Sequence, residues 1–371
     1  MEMAVNIITI VDRYNYGNRL QNYALAESLK ALGFEHVRTI RVVDSRPRSY
    51  LRDMRRAYRG GKQGRGAAQR SFDQFTKAFI PFKKTKGKDL AGIPGLFVIG
   101  SDQVWNPSWD IGASLDGAQF ALQVPGARKA AYAASFGIEL GALPEETREL
   151  FREGLLSFDE SMLSVREDEG AAIVENLTGW KVPAVVDPTI LLDSAAWRAR
   201  ARVPHIDGIK KEPFCVKYFL GDERAQQEVE RLSAANGLNV VDILAPNVEI
   251  GPLEFVWLID HASMVFTDSF HAAVFSLLFH TPCRVLERTQ KGQCDMASRF
   301  RTLAAVAGLD DIGFADCRLL EEYAYRFKWD EIDVRLDEHR RGSLDWLQRT
   351  MGFLAGTSAR LVQSHPTRRE L

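Results

Sequence analysis

Short apolar runs, each followed by a polar or glycine-bearing turn and then by apolar residues at helical spacing, recur along this chain, and that recurrence leaves few folds open. Val5-Asn6-Ile7-Ile8-Thr9-Ile10-Val11 is mostly apolar and bounded by polar residues, as a strand buried on both faces requires. The turn from Asp12 to Asn18 carries Gly17. Leu20, Tyr23, Ala24 and Leu29 then repeat at helical spacing, and Gly33 supplies a stop. Residues 37–43, 95–100, 129–136 and 161–166 read as further strands, and residues 144–158 as a helix with acids in its first turn. After a stretch rich in Arg, Lys, Pro, His and Gly the pattern restarts at Phe214, with strands expected at 214–220, 239–243, 263–267 and 283–286. Helices are expected at 225–236, 252–262 and 271–279, and again over residues 320–355. Strands alternating with helices predict parallel sheets flanked on both faces.

The expected fold class is therefore α/β, with two Rossmann-like parallel-sheet domains and C-terminal helices. The first domain spans 1–193, a linker 194–213, the second domain 214–318 and a helical extension 319–371. A length of 371 residues agrees with two domains. The arrangement resembles glycosyltransferase type B enzymes, whose substrates lie between the halves.

A net charge of −1 hides an asymmetry. From Arg38 to Lys88 there are 16 Lys and Arg against three acids, a local +13, which leaves −14 over the remainder. The Gly-rich centre of this tract predicts a mobile insertion at about 46–66. The segment 38–88 suits peripheral contact with an anionic membrane; a merely solvated insertion is the alternative, and no aromatic residues interleave to suggest specific nucleic-acid binding. Cys215, Cys283, Cys294 and Cys317 lie far apart without metal-binding spacing, which predicts free thiols in a reducing compartment. The apolar start is too short for a secretory leader and no run suits a bilayer span, so a cytoplasmic protein is expected.

In open α/β sheets, ligands bind beyond the carboxyl ends of the strands. Four turns occupy that position. The first, Asn15-Tyr16-Gly17-Asn18-Arg19-Leu20-Gln21, offers amide donors to an anion at a helix start, or is an ordinary tight turn. The second, Gly100-Ser101-Asp102-Gln103-Val104-Trp105-Asn106-Pro107, places a carboxylate where it could accept a hydroxyl proton, or where it caps the next segment. The third, Arg166-Glu167-Asp168, provides a guanidinium fork for a carboxylate or phosphate, unless Arg166 pairs with its acidic neighbours. The fourth, Thr267-Asp268-Ser269-Phe270-His271, brings a histidine able to exchange protons near neutral pH to a strand-to-helix junction.

These motifs, with Ser164-Val165-Arg166-Glu167 and Asp187-Pro188-Thr189, resemble in order and spacing the polysaccharide pyruvyl transferase family over roughly residues 5–310. The resemblance implies phosphoenolpyruvate as co-substrate, no further cofactor, and a saccharide or lipid-linked saccharide acceptor that receives a pyruvyl ketal. Better-known members carry an Arg two residues before the motif histidine; this chain has Ser269 there and is similar to a branch with Asp-Ser-Phe-His. Phosphoenolpyruvate bears a carboxylate and a phosphate, so Arg166, Arg299 and Lys217, with Ser269 at the altered position, are the candidate donor-binding residues. His271 and Asp102 are the candidate acid and base, in either order. Asn15, Gly17, Asn18, Gln21, Gln103 and Trp105 are candidates for an acceptor or anion loop, and no metal site is expected. The same architecture also serves nucleotide-sugar glycosyltransferases and non-catalytic glycan-binding relatives, and fold alone does not choose among them.

Overall fold

The computed structural model describes residues 3–11, 14–43, 66–107, 117–220, 226–245, 248–286, 297–310 and 327–356. The first half contributes strands β1 (Val5–Ile8), β2 (Val37–Val43), β3 (Phe82–Lys86), β4 (Leu96–Ile99), β5 (Lys129–Ala134) and β6 (Leu163–Val165). Its helices are α1 (Tyr16–Ala31), α2 (Gly66–Phe79), α3 (Glu145–Leu156), α4 (Asp168–Thr178), α5 (Pro188–Leu191) and α6 (Ser194–Arg198). The second half contributes β7 (Phe214–Tyr218), β8 (Asn239–Asp242), β9 (Met264–Thr267) and β10 (Cys283–Val285). With them come α7 (Gln226–Ala235), α8 (Pro252–His261), α9 (Phe270–Phe279), α10 (Ala297–Ala307) and α11 (Trp329–Leu354).

Two parallel sheets result, one of six strands in the order β3-β2-β1-β4-β5-β6 and one of four in the order β10-β9-β7-β8. Every residue of β1, β4 and β9 is buried, because helices cover both faces. Residues near 184 add an isolated parallel bridge beside β6, pairing Val165 with Ala184 and carrying the chain back to the carboxyl edge of the first sheet.

A single apolar cluster runs from β1 and α1 through α5 and α6 into the second sheet and α11. Aromatic rings stitch this seam: Tyr16 stacks on Phe255 at 4.7 Å, and Trp197 bridges Tyr23 at 5.7 Å and Phe275 at 5.0 Å. Such pairs contribute about 0.5–1.5 kcal/mol each beyond simple burial. The segment expected as a linker therefore begins as packed structure, since α6 delivers the fully buried Trp197. A second cluster fills the other face of the first sheet around Phe97, Phe120, Phe136 and Phe151. There Lys129 is fully buried, donating to the carbonyls of Phe120 and Ala121 at 3.1 Å and to Ser157 at 2.8 Å. Burial pulls its pKa down to about 8.

Among the elements not expected from the sequence are two from the basic tract. Residues of the basic tract form α2, which buries Phe72 and Phe75, and β3, which pairs with β2 at the sheet edge. Apart from Gly66, the insertion expected at 46–66 lies outside the described residues. Cys215 and Cys283 are free and buried, and burial pushes their thiols up to about 11 and about 12; Cys294 and Cys317 lie outside the described residues. Among the described residues no helix is long and apolar enough to cross a membrane.

Candidate functional site

Strand order reverses between β1 and β4 in the first sheet and between β7 and β9 in the second. Such switch points open a crevice at the carboxyl edge. At the first, Asn15 caps α1 by accepting from the Asn18 backbone N–H at 3.0 Å. The Asn18 side-chain amide donates to the Ile10 carbonyl at 2.6 Å and to Asp102 Oδ2 at 3.1 Å, so one side chain ties the two sides of the crevice together. Asp102 has a φ of 64°, a left-handed conformation that Asp tolerates better than most residues. At the second switch point Thr267 donates to the Tyr218 carbonyl at 2.7 Å, and Asp268 accepts from the Leu220 N–H at 2.7 Å. His271 stands in the first turn of α9 immediately beyond.

Between these two turns lies a buried charge cluster centred on Arg166. Its guanidinium donates to Asp187 Oδ2 at 3.0 Å and to Glu167 Oε2 at 3.4 Å, and it lies 3.8 Å from Asp102 Oδ1. Burial by itself would lower the pKa of Arg166; Glu167, Asp187 and Asp102 more than offset this and raise it. The guanidinium carbon also lies 4.6 Å from the ring centre of Phe270, a cation–π contact that supports the buried charge. Arg166 Nη2 has no hydrogen-bond partner among the described residues. Glu167 is held in turn by the Ser135 hydroxyl and by the Gly137 N–H at 3.3 Å.

Asp187 joins the two halves of the site. Its Oδ1 caps α5, accepting from the N–H and hydroxyl of Thr189 at 3.0 and 2.8 Å. Its Oδ2 meets Arg166 on one side and His271 Nε2, at 3.6 Å, on the other. Burial alone would raise its pKa. The neighbouring His271, the Arg166 guanidinium and the Thr189 hydrogen bonds win, and hold it well below the usual carboxylate range. A cavity of about 220 Å³ opens beside this cluster, and its lining combines Arg166, Asp187 and Arg299 with the apolar Val185, Ile190 and Leu303. His271 and Asp102 stand behind Asp187 and Arg166, outside that lining.

A sequence model of the polysaccharide pyruvyl transferase family matches residues 15–290. The chain belongs to that family. No curated protein matches it. Among solved structures, a Listeria monocytogenes protein assigned as a UDP-N-acetylglucosamine 2-epimerase superposes with a TM-score of 0.54 at 11% identity, over 97% of this chain and 98% of that one. The S. aureus MnaA–UDP structure gives 0.54 at 13% identity, over 96% and 97%. At such identities the likeness is one of fold, and the two-domain α/β architecture expected from the strand–helix alternation is the one found.

Within this member of the family the structure brings Asp102, Arg166 and His271 together, and it places Arg299 on the cavity with its guanidinium carbon 5.8 Å from the Phe270 ring centre. Ser269 is the N-cap residue of α9, with its N–H donating to Thr267. Lys217 is placed elsewhere: its ammonium bonds Asp242 at 2.8 Å and also Gln226, which commits its charge within the second sheet. Trp105 is a core residue and not an acceptor contact, because its indole N–H donates to the Gln119 carbonyl and its ring packs against Phe120 and Phe136. Gln21 is likewise buried, donating to Thr9 and to the Asn18 carbonyl. Gln103 packs against Gly137 and accepts from Asn106.

Asp187 and Glu167, which the sequence places in motifs without a role of their own, complete the charge cluster around Arg166. Gly17, by contrast, has a sharp steric reason. A Cβ at this position would stand 2.0 Å from His271 Nδ1 and 2.2 Å from its Cγ, so the imidazole is seated directly on the glycine. Gly17→Ala is expected to displace His271 and cost about 1–3 kcal/mol through overpacking. Denaturant unfolding of the variant measures this cost, and an unchanged midpoint would show that the ring has room to move.

Proposed function

We propose that this protein transfers the pyruvyl group of phosphoenolpyruvate to two hydroxyls of a saccharide, forming a ketal and releasing phosphate. Membership of the family supports the acceptor class. The observation that carries the donor is the cavity that Arg166 and Arg299 line together, with Arg166 Nη2 lacking a partner among the described residues, since a small anion carrying carboxylate and phosphate suits two guanidinium forks.

The chemistry balances without a further reactant. One sugar oxygen attacks C2 of the enol while its methylene carbon gains a proton, giving a tetrahedral phosphate-bearing adduct. The C–O bond to phosphate then breaks, the second sugar oxygen attacks C2, and its proton leaves with the phosphate. The two hydroxyl protons thus account for the new methyl hydrogen and the phosphate proton. We assign these transfers to His271, whose Nε2 faces Asp187 at 3.6 Å, and to Asp102, held by Asn18. Both stand directly behind the Arg166 and Asp187 wall of the cavity, so this assignment requires the reacting atoms to seat deeper than the present lining.

The direct test is ligand-dependent thermal stabilisation. Phosphoenolpyruvate at 100 times its Kd should stabilise the native state by about 2.7 kcal/mol, while UDP-N-acetylglucosamine should leave the melting temperature unchanged. Stabilisation by the nucleotide sugar alone would assign the cavity to glycosyl transfer. A wild type indifferent to phosphoenolpyruvate, beside a Ser269→Arg variant that binds it, would mean that this branch uses another donor.

A further inference from the structure

Six cations gather at the β3 edge of the first sheet. Lys83, Lys84 and Lys86 lie on β3, Lys88 follows it, Lys77 lies on α2 and Arg41 on β2; the five lysines are exposed and Arg41 is half-buried. The strand register makes Arg41 and Lys84 Cα partners, which sets two like charges on strands about 4.8 Å apart. None of the six has an ion-pair partner among the described residues, and across residues 66–92 the acids are Asp73 and Asp89.

Lysines on an edge strand also keep it from pairing with a foreign sheet. One or two would serve that purpose. Four lysines within residues 83–88, with Arg41 set against one of them, concentrate a repulsion that an external anion relieves. The cations are spread along the strand and exposed, so they form a line of potential and not a phosphate pocket. Five strand residues extend about 16 Å, enough to meet several headgroups at once. We infer that this edge docks on an anionic membrane surface. Because β3 runs parallel to β2 and, through it, to β1 and β4, its Lys84–Lys86 end points toward the carboxyl edge that carries Asp102 and Arg166. Docking there turns the rim of the site toward the bilayer.

Each lysine near an anionic leaflet strengthens binding about fivefold. The full-length protein should cosediment with phosphatidylglycerol–phosphatidylcholine vesicles at low ionic strength, be released by ~0.5 M salt, and ignore pure phosphatidylcholine. A Lys83→Glu/Lys84→Glu/Lys86→Glu variant keeps a charged edge strand, so protection against strand pairing survives; its vesicle affinity should fall more than about 100-fold with an unchanged melting temperature. If that variant unfolds, the corresponding triple Gln variant serves, with an expected loss of about 100-fold. The inference is overturned if the wild type ignores anionic vesicles, if it binds soluble polyphosphate but no vesicle, or if the folded triple variant binds as tightly as the wild type. None of these measurements involves the donor, so their failure leaves the proposed pyruvyl transfer standing.

Discussion

His271→Ala is expected to lower turnover of phosphoenolpyruvate with a verified saccharide acceptor by roughly 10²- to 10⁴-fold, the span typical of a positioned acid–base group. The expectation rests on geometry. His271 is 5% exposed, its ring seated on Gly17 in the first turn of α1 and facing Asp187, so its two nitrogens have different surroundings. It also stands at the switch point of the second sheet, against a turn belonging to the switch point of the first. A group that only filled space there would leave kcat within a few-fold once folding was verified by circular dichroism. His271→Gln separates the alternatives further, because it fills much of the volume without exchanging a proton. If the Gln variant turned over like the wild type, the proton transfers would belong to another residue.

Much of this site was legible in the sequence. Asp102 and Arg166 follow short apolar runs of the first sheet and His271 one of the second, and a parallel sheet must deliver such residues to its carboxyl edge. The restart at Phe214 marked the second sheet for the same reason, since the apolar run 214–218 becomes β7. Asp187 was harder to read. It follows a segment joined to β6 by a lone bridge, and its importance comes from meeting Arg166 and His271, contacts made only by long-range packing. The ion pair of Arg166 with its neighbour Glu167 is the alternative that the sequence offers, and the structure shows it buried at the turn between β6 and α4. Trp105 misled for the opposite reason. It emerges at the carboxyl edge in sequence, yet the chain folds back so that its backbone N–H bonds the Ser135 carbonyl and its ring enters the core. The α2 helix did carry a signal: Phe72, Phe75 and Phe79 are spaced as one helical face, which the surrounding positive charge obscured.

Asp187→Ala should be the most destabilising single change at the site, by about 3–5 kcal/mol in denaturant unfolding. The carboxylate is fully buried and makes the closest contact to the Arg166 guanidinium. Its removal leaves part of a buried cation uncompensated, and it also strips the cap from α5, worth about 1 kcal/mol by itself. Glu167 and Asp102 remain within 3.4 and 3.8 Å of Arg166, which limits the loss without cancelling it. The pH dependence follows from the depressed pKa of Asp187. A carboxyl that titrates lower in the folded than in the unfolded state contributes fully above the unfolded value of about 3.9. That contribution then drains away as pH falls toward the folded value. The stability gap between wild type and Asp187→Ala should therefore be complete above about pH 4 and narrow steadily below it. Asp187→Asn should recover little, since an amide nitrogen in place of Oδ2 would set a donor against the donors of Arg166. A gap of less than about 1 kcal/mol near neutral pH, or one that widened on acidification, would show that Asp187 is not what holds the two halves of the cluster together.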